Sequence, residues 1–148
     1  MSILDHIAAA SREARPHIVL AEGTDSRVID AGLRAAEDGL ARITLVGPGN
    51  EIRARIGTAT EVEVADPETD ARTSGYASVF YELRKHKGAS EEAALNVARS
   101  NLGFAALMVR QGDADGTLAG AVATTADVVR SALQIIGIGP GVDVVSSC

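Results

Sequence analysis

The chain has 148 residues and a net charge of −6, with 46% hydrophobic residues and only 3% aromatic ones. An acidic chain without aromatic stacking platforms is excluded as a general nucleic-acid binder, which needs a basic face. A core of Ala, Val, Ile and Leu at this length suits one domain of helices on a parallel sheet better than a β-sandwich.

Ile3 to Ser11 reads as a short amphipathic helix. His17-Ile-Val-Leu20 reads as a buried strand and Glu22-Gly-Thr-Asp-Ser26 as the turn after it. Val28 to Asp38 predicts a helix, with apolar or small residues at 28, 29, 32, 33, 35 and 36 and Gly39 as its stop. Arg42-Ile-Thr-Leu-Val46 is a second strand closed by Gly47-Pro-Gly49, which makes a βαβ unit with a right-handed crossover. A short helix over Asn50 to Ile56 and a short strand over Val62 to Val64 follow.

Asp70 to His86 predicts a helix whose apolar face is Tyr76, Val79, Phe80 and Leu83, read as core. Gly88 stops it, and Ser90-Glu-Glu starts another helix with a good cap and an acidic first turn. Beyond lie a strand candidate at Phe104 to Val109, a short strand at Thr117 to Ala119, a helix over Ala126 to Ile136 and a final strand over Val142 to Val145. The fold class is α/β, three-layer α/β/α with a mostly parallel sheet. A chain of this class normally continues past its last strand into a loop and helix, so the end at Cys148 reads as truncated.

Standard motifs fail in informative ways. Gly47-Pro-Gly49 lacks the third glycine of a dinucleotide fingerprint because Ile52 stands there, and Gly137-Ile-Gly139-Pro-Gly141 follows a helix instead of a strand. Asp113-Ala-Asp115-Gly116 has its glycine too early for a calcium loop, and Thr124 replaces the terminal Glu. His6, His17 and His86 are too scattered for a metal site, so no metal is expected. The one cysteine, Cys148, allows no disulfide framework. Met1 to Ala10 is no signal peptide, and no stretch approaches the roughly 18 apolar residues of a membrane span. A soluble cytoplasmic protein without membrane contact is expected.

Three places are candidates for anion chemistry. The run from Gly112 to Arg130 combines a glycine-rich approach, Thr124-Thr125 at a helix start and Arg130 just inside it. With Thr125 as N-cap, free amides and the guanidinium would converge on one spot suited to phosphate. The alternative is an ordinary capped helix with an Asp127–Arg130 pair at i,i+3. Arg84-Lys-His-Lys87 gathers both lysines of the chain, either as a solvated helix end or as a phosphate or nucleotide clamp. In the turn after the first strand, Thr24, Asp25 or Ser26 is the expected cap, with Glu22 and Arg27 a candidate ion pair. The helix over Ala126 to Ile136 divides into a polar stripe (Asp127, Arg130, Ser131, Gln134) and an apolar one (Val129, Ala132, Leu133, Ile136).

Ala21-Glu-Gly-Thr-Asp-Ser-Arg-Val28, Glu82-Leu-Arg-Lys-His-Lys-Gly88, Gly112-Asp-Ala-Asp-Gly116, Thr125-Ala-Asp-Val-Val-Arg130, Ala132-Leu-Gln-Ile-Ile136 and Pro140-Gly-Val-Asp-Val-Val-Ser-Ser147 occur in that order. Together they strongly resemble the phosphate acetyltransferases (phosphotransacetylases) and the wider acetyl/butyryl transferase family. The resemblance covers nearly all of the chain but only the N-terminal half of a family member, so residues 1–148 are expected to be one partial domain.

The resemblance implies a fold similar to isocitrate and isopropylmalate dehydrogenases, two α/β domains around a cleft, and homodimers at full length. It also implies acetyl transfer between coenzyme A and inorganic phosphate, with coenzyme A, acetyl-CoA, phosphate and acetyl phosphate as substrates and no bound cofactor. Position by position, it assigns Arg84 and Arg130 to the cleft, Thr124 and Thr125 to the phosphate end of the substrate, and Lys87 to the coenzyme's phosphates. No catalytic residue is assigned, because the family's carboxylate base falls in the segment not represented here. Ala123 and Ser131 depart from the His or Asn and the Pro of many relatives, which bears on acyl-chain preference; Asp113 and Asp115 are given a structural turn role. Phosphate butyryltransferase is an alternative. So is a non-catalytic acyl-phosphate or nucleotide-binding or interaction module, such as the transferase-like domain of some malic enzymes.

Overall fold

Short runs of Ile, Val and Leu form the strands because both of their faces are buried, the pattern of a parallel sheet. In the computed structural model, which describes residues 1–59 and 61–146, the order is α1 (Ile3–Ala14), β1 (His17–Leu20), α2 (Ser26–Glu37), β2 (Arg42–Val46), α3 (Gly49–Ile56) and β3 (Val62–Ala65). Then come α4 (Thr73–Arg84), α5 (Glu91–Arg99), α6 (Asn101–Arg110), β4 (Gly116–Leu118) and α7 (Thr125–Ser131). Thr60, Ser147 and Cys148 lie outside the described residues, and with them the end of the last quoted motif and the reading of Cys148 as a truncation point.

The four strands are parallel in the order β3-β2-β1-β4. Helices pack on both faces, so the expected α/β/α layers are present. Leu20, Ile43, Leu45 and Val62 face α2 and α3 through Ile29 and Ile52. Val19, Ala21, Val46 and Ala65 face α4, α5, α6 and the segment after α7, with Phe104, Leu107 and Met108 fully buried there. Right-handed crossovers explain the division: the chain steps β1-β2-β3 with helices on one face, then reverses to β4 with helices on the other.

Several boundaries depart from the sequence expectation. Phe104 to Val109 is not a strand but part of α6, whose residues from Gly103 to Met108 are all buried. A helix buried all round shows no polar stripe, so its short apolar run imitates a buried strand. Ser100 caps it by accepting from the Gly103 amide at 3.1 Å, while also ending α5. Val142 to Val145 form no strand and are exposed. The expected helix over Asp70 to His86 starts later and ends in a 3-10 turn over Lys85–Lys87.

Helix α7 passes into a π-helical turn over Ala132–Ile136. The wider turn rotates the helix face, so Ile135 is buried while Leu133 and Ile136, placed on the apolar stripe by sequence, are exposed.

Candidate functional site

The strand order reverses at β1, between β2 and β4, and in open α/β sheets ligands bind beyond the carboxyl ends of the strands at such a reversal. Two loops meet there: Ala21–Asp25 after β1, and Ala119–Thr124 after β4. The first turn fits tightly against β2. Gly23 donates its amide to the Val46 carbonyl at 2.9 Å, and a Cβ at Gly23 would lie 2.8 Å from that oxygen and 2.9 Å from Ile52 Cδ1. Asp25 is the cap of α2, accepting from the Arg27 and Val28 amides. Its bidentate contact with Arg27 is the main reason its carboxyl is lowered to about 2, with burial opposing and the amides adding.

Glu22 and Arg27 do not pair with each other; each holds the second loop. Four consecutive backbone amides donate to the Glu22 carboxylate: Gly120 and Ala121 to Oε2 at 3.0 and 2.8 Å, Val122 and Ala123 to Oε1 at 2.9 and 2.6 Å. Arg27 Nη2 donates to the Ala121 carbonyl at 2.9 Å. Burial opposes the charge on Glu22, but the amides outweigh it and hold the carboxyl below its ordinary value. The row of amides thus forms an anion nest with an internal carboxylate in it. The sequence reading missed this role of Glu22. The signal was Ala119-Gly-Ala-Val-Ala123, five residues without a polar side chain to satisfy their own backbone.

The helix start differs from the expectation in one residue. Thr124, not Thr125, is the N-cap, accepting from the Asp127 amide at 3.2 Å and donating its hydroxyl to Asp127 Oδ2 at 2.8 Å. Thr125 is exposed and has no side-chain hydrogen bond among the described residues. Arg130 is exposed and forms the i,i+3 pair with Asp127 at 2.9 Å. It borders a small groove with Ser100, Ser131 and Gln134.

Thr124, Thr125 and Arg130 therefore share one helix. Arg84 and Lys87 lie elsewhere, at the end of α4 and in the turn after it; Arg84 is half-buried, Lys87 exposed, and neither has an ion-pair partner among the described residues. Lys85 instead pairs with Glu82 at 2.5 Å.

The acidic turn Asp113–Asp115 supports the sheet. Tyr76 donates its hydroxyl to Asp113, and the His17 amide donates to Asp115 at 2.7 Å. Burial first, then Asp113, raises the Tyr76 phenol, so it acts as a neutral donor. Its ring meets Phe104 edge-on at 5.1 Å, and Arg72, paired with Asp70, covers the same Phe104 at 5.5 Å. Among the described residues no group of three or more His, Cys, Asp or Glu is placed to hold a metal ion. No helix among them is long and apolar enough to cross a membrane.

A parallel sheet wound in both directions from β1, with two loops meeting at the reversal, defines a doubly wound α/β protein. Residues 2–148 match the Phosphate acetyl/butaryl transferase family, and the chain belongs to it. It is 39% identical to the phosphate acetyltransferase of Clostridium acetobutylicum over 99% of its length and 45% of that protein's. It is 44% identical to the phosphate acetyltransferase of Paracoccus denitrificans over 99% of its length and 44% of that protein's. A phosphotransacetylase structure from Streptococcus pyogenes superposes with a TM-score of 0.85 at 32% identity, covering 97% of this chain and 45% of that one. The chain thus spans a little under half the length of these relatives.

Proposed function

We propose that the chain is the N-terminal portion of a phosphate acetyltransferase, which transfers acetyl between coenzyme A and inorganic phosphate. The observation that carries this is the family match over residues 2–148, with relatives named phosphate acetyltransferase. In the transfer, a coenzyme A thiolate attacks the carbonyl carbon of acetyl phosphate. The C–S bond forms, the C–O bond to phosphate breaks, and inorganic phosphate leaves with the electron pair; the reverse reaction gives acetyl phosphate.

The residues of this chain contribute binding to that reaction. Arg130 and the Thr125 hydroxyl hold the phosphate end, Thr124 sets the helix start beside it through its bonds to Asp127, Arg84 adds a second guanidinium once the cleft is complete, and Lys87 meets the coenzyme's phosphates. Positioning and fixed positive charge at the leaving group are the contributions such residues make. By the family resemblance the carboxylate base falls in the part of the relatives that this chain does not match, so on this reading the chain alone binds ligand with little turnover. Cytoplasmic location and a homodimer at full length belong to the same reading.

Calorimetric titration with acetyl phosphate, beside an assay for thioester formation from acetyl phosphate and coenzyme A, tests the reading. The chain should bind acetyl phosphate, and Arg130→Ala should abolish binding without moving the melting temperature, since the side chain is 62% exposed. Binding unchanged in Arg130→Ala would overturn the assignment of the phosphate site. Thioester formation by the chain alone at the rate of a full-length relative would overturn its incompleteness.

A further inference from the structure

Arg130 is the last member of a chain of contacts that begins outside its own helix. Its Nη1 donates to Asp127 Oδ1 at 2.9 Å, while Asp127 Oδ2 accepts the Thr124 hydroxyl at 2.8 Å. Asp127 thus has one oxygen committed on each side and aims the guanidinium from Thr124. The position of Thr124 is in turn set by the four residues before it. The amides of Gly120, Ala121, Val122 and Ala123 all donate to the Glu22 carboxylate, the last at 2.6 Å.

Little else holds this segment. Helix α7 spans seven residues and buries none of them, and no residue from Ala119 to Ala123 is buried. Among the described residues, the polar contacts that tie Gly120–Ala123 to the rest of the chain come from Glu22 and, at the Ala121 carbonyl, from the exposed Arg27. Glu22 itself stands on firm ground. The buried Ala21 before it donates its amide to the Leu118 carbonyl at 3.1 Å, and Gly23 after it locks the turn onto β2 through the Val46 carbonyl. The carboxylate is therefore the point at which the rigid end of β1 takes hold of an otherwise loosely packed loop.

We propose that Glu22 is a positioning residue for the phosphate end of the substrate: its carboxylate orders Gly120–Ala123 and, through Thr124 and Asp127, orients Arg130. The inference rests on the reading of Arg130 as a phosphate-holding residue and adds what fixes its direction. The sign of the effect separates this role from simple electrostatics. Glu22 is a negative charge one residue from Thr124, so by charge alone its removal favours an anion. Amides released from the carboxylate would favour an anion as well, because an empty nest binds one. Positioning acts the other way: a guanidinium no longer held in one direction loses its orientation toward the phosphate.

The test is an NMR titration of the 148-residue chain with inorganic phosphate, well below the melting transition, read at the Thr125 amide and the Arg130 Nε–H. Glu22→Gln should weaken phosphate by about tenfold or more, although it removes a negative charge. Glu37→Gln, which neutralises an exposed carboxylate at the last residue of α2, should change the affinity by no more than about twofold. The ratio of wild-type to Glu22→Gln affinity should shrink toward one as pH falls below the ordinary carboxylate value of 4.5. Asp25, Arg27, Arg55, Asp127 and Arg130, the charged groups of the neighbouring elements, are common to both proteins, so their titration and that of phosphate cancel in the ratio. In the chain without ligand, the Arg130 Nε–H should move with the Gly120–Ala123 amides as Glu22 titrates, and lose that transition in Glu22→Gln. Binding by Glu22→Gln as tight as the wild type's overturns the proposal, and tighter binding would assign phosphate to the emptied nest instead. An Arg130 signal that ignores the Glu22 transition overturns it too. An Arg130 signal that follows Glu22 in a chain that binds no phosphate would support the link between them and overturn the phosphate site.

Discussion

Glu22→Gln isolates the interaction that shapes the candidate site. In the native chain each carboxylate oxygen accepts two amides, at 3.0 and 2.8 Å on Oε2 and 2.9 and 2.6 Å on Oε1. A glutamine can present one oxygen to one pair. Its NH2 group would then face the other pair, donor against donor, and the charge would be gone. Hydrogen bonds to a charged group contribute about 1.5–3 kcal/mol each when well shielded. This carboxylate is only partly buried, and water can reach the released amides. The loss of two bonds and the weakening of two others should then total about 2–3 kcal/mol, or a fall in melting temperature of about 5–10 °C for a domain of this size.

The pH dependence separates this cause from simple misfit. Glu22 has its carboxyl lowered in the folded state, so its contribution is fully present above the unfolded value and is lost as pH falls through the folded one. Thermal melts of wild type and Glu22→Gln should therefore differ most above about pH 5 and converge as the pH drops below the ordinary carboxylate value of 4.5. A stability gap that stays constant down to acid pH would refute the amide-nest reasoning. So would a variant that melts with the wild type at neutral pH. Arg27→Ala, which removes exposed contacts to the Ala121 carbonyl and to Asp25, should move the melt far less, since exposed ion pairs contribute little.

Two further substitutions test the packing behind the site. In Gly103→Ala the new Cβ would lie 2.1 Å from the Val97 carbonyl oxygen and 2.7 Å from Ser100 Oγ. Forcing apart the α5–α6 corner should cost about 2–3 kcal/mol, read as a lower urea midpoint with an unchanged slope; an unchanged midpoint would mean that the two helices do not meet so closely. Tyr76→Phe keeps the edge contact with Phe104 but leaves Asp113 without its donor. A loss of about 1–2 kcal/mol is expected in the same assay, and a neutral result would remove Tyr76 from the support of the acidic turn.

The parallel sheet was legible because its strands are short β-branched runs separated by helical periodicity, and βαβ units admit one handedness. What sequence periodicity could not separate was α6 from a strand. Both are continuous apolar runs, and only the Ser100 cap and the length of the run distinguish them. The π turn after α7 was invisible for a related reason: Ala132-Leu-Gln-Ile-Ile136 fits a 3.6-residue repeat, and the wider turn depends on packing against α6. At the site, Thr124 and Arg130 were visible as helix-start chemistry, but the identity of the cap was decided by where Asp127 falls. Glu22 escaped because its partners are backbone amides about 100 residues away, and a sequence displays no backbone donors.

This arrangement changes where phosphate affinity must come from. The most favourable anion site of the chain, the row of amides from Gly120 to Ala123, already holds a carboxylate that is attached to β1 and never diffuses away. A phosphate would compete there with a tethered charge, so the nest serves to fix the loop and, through it, the position of Thr124. Under the proposed function the substrate's charge would fall to side chains: the Thr125 hydroxyl, which has no partner among the described residues, and Arg130, whose Nη1 contacts Asp127 while its other nitrogens have none among them. Asp127 aligns Arg130 and also lowers its net attraction for an anion. One such arginine on an exposed helix is a weak phosphate site in water. A strong one needs a second cation and exclusion of solvent, and Arg84 does not supply the first in the chain as it stands. On the proposed function, this portion would set the angle of the phosphate end, and the strength of its charges would depend on solvent being excluded from the cleft.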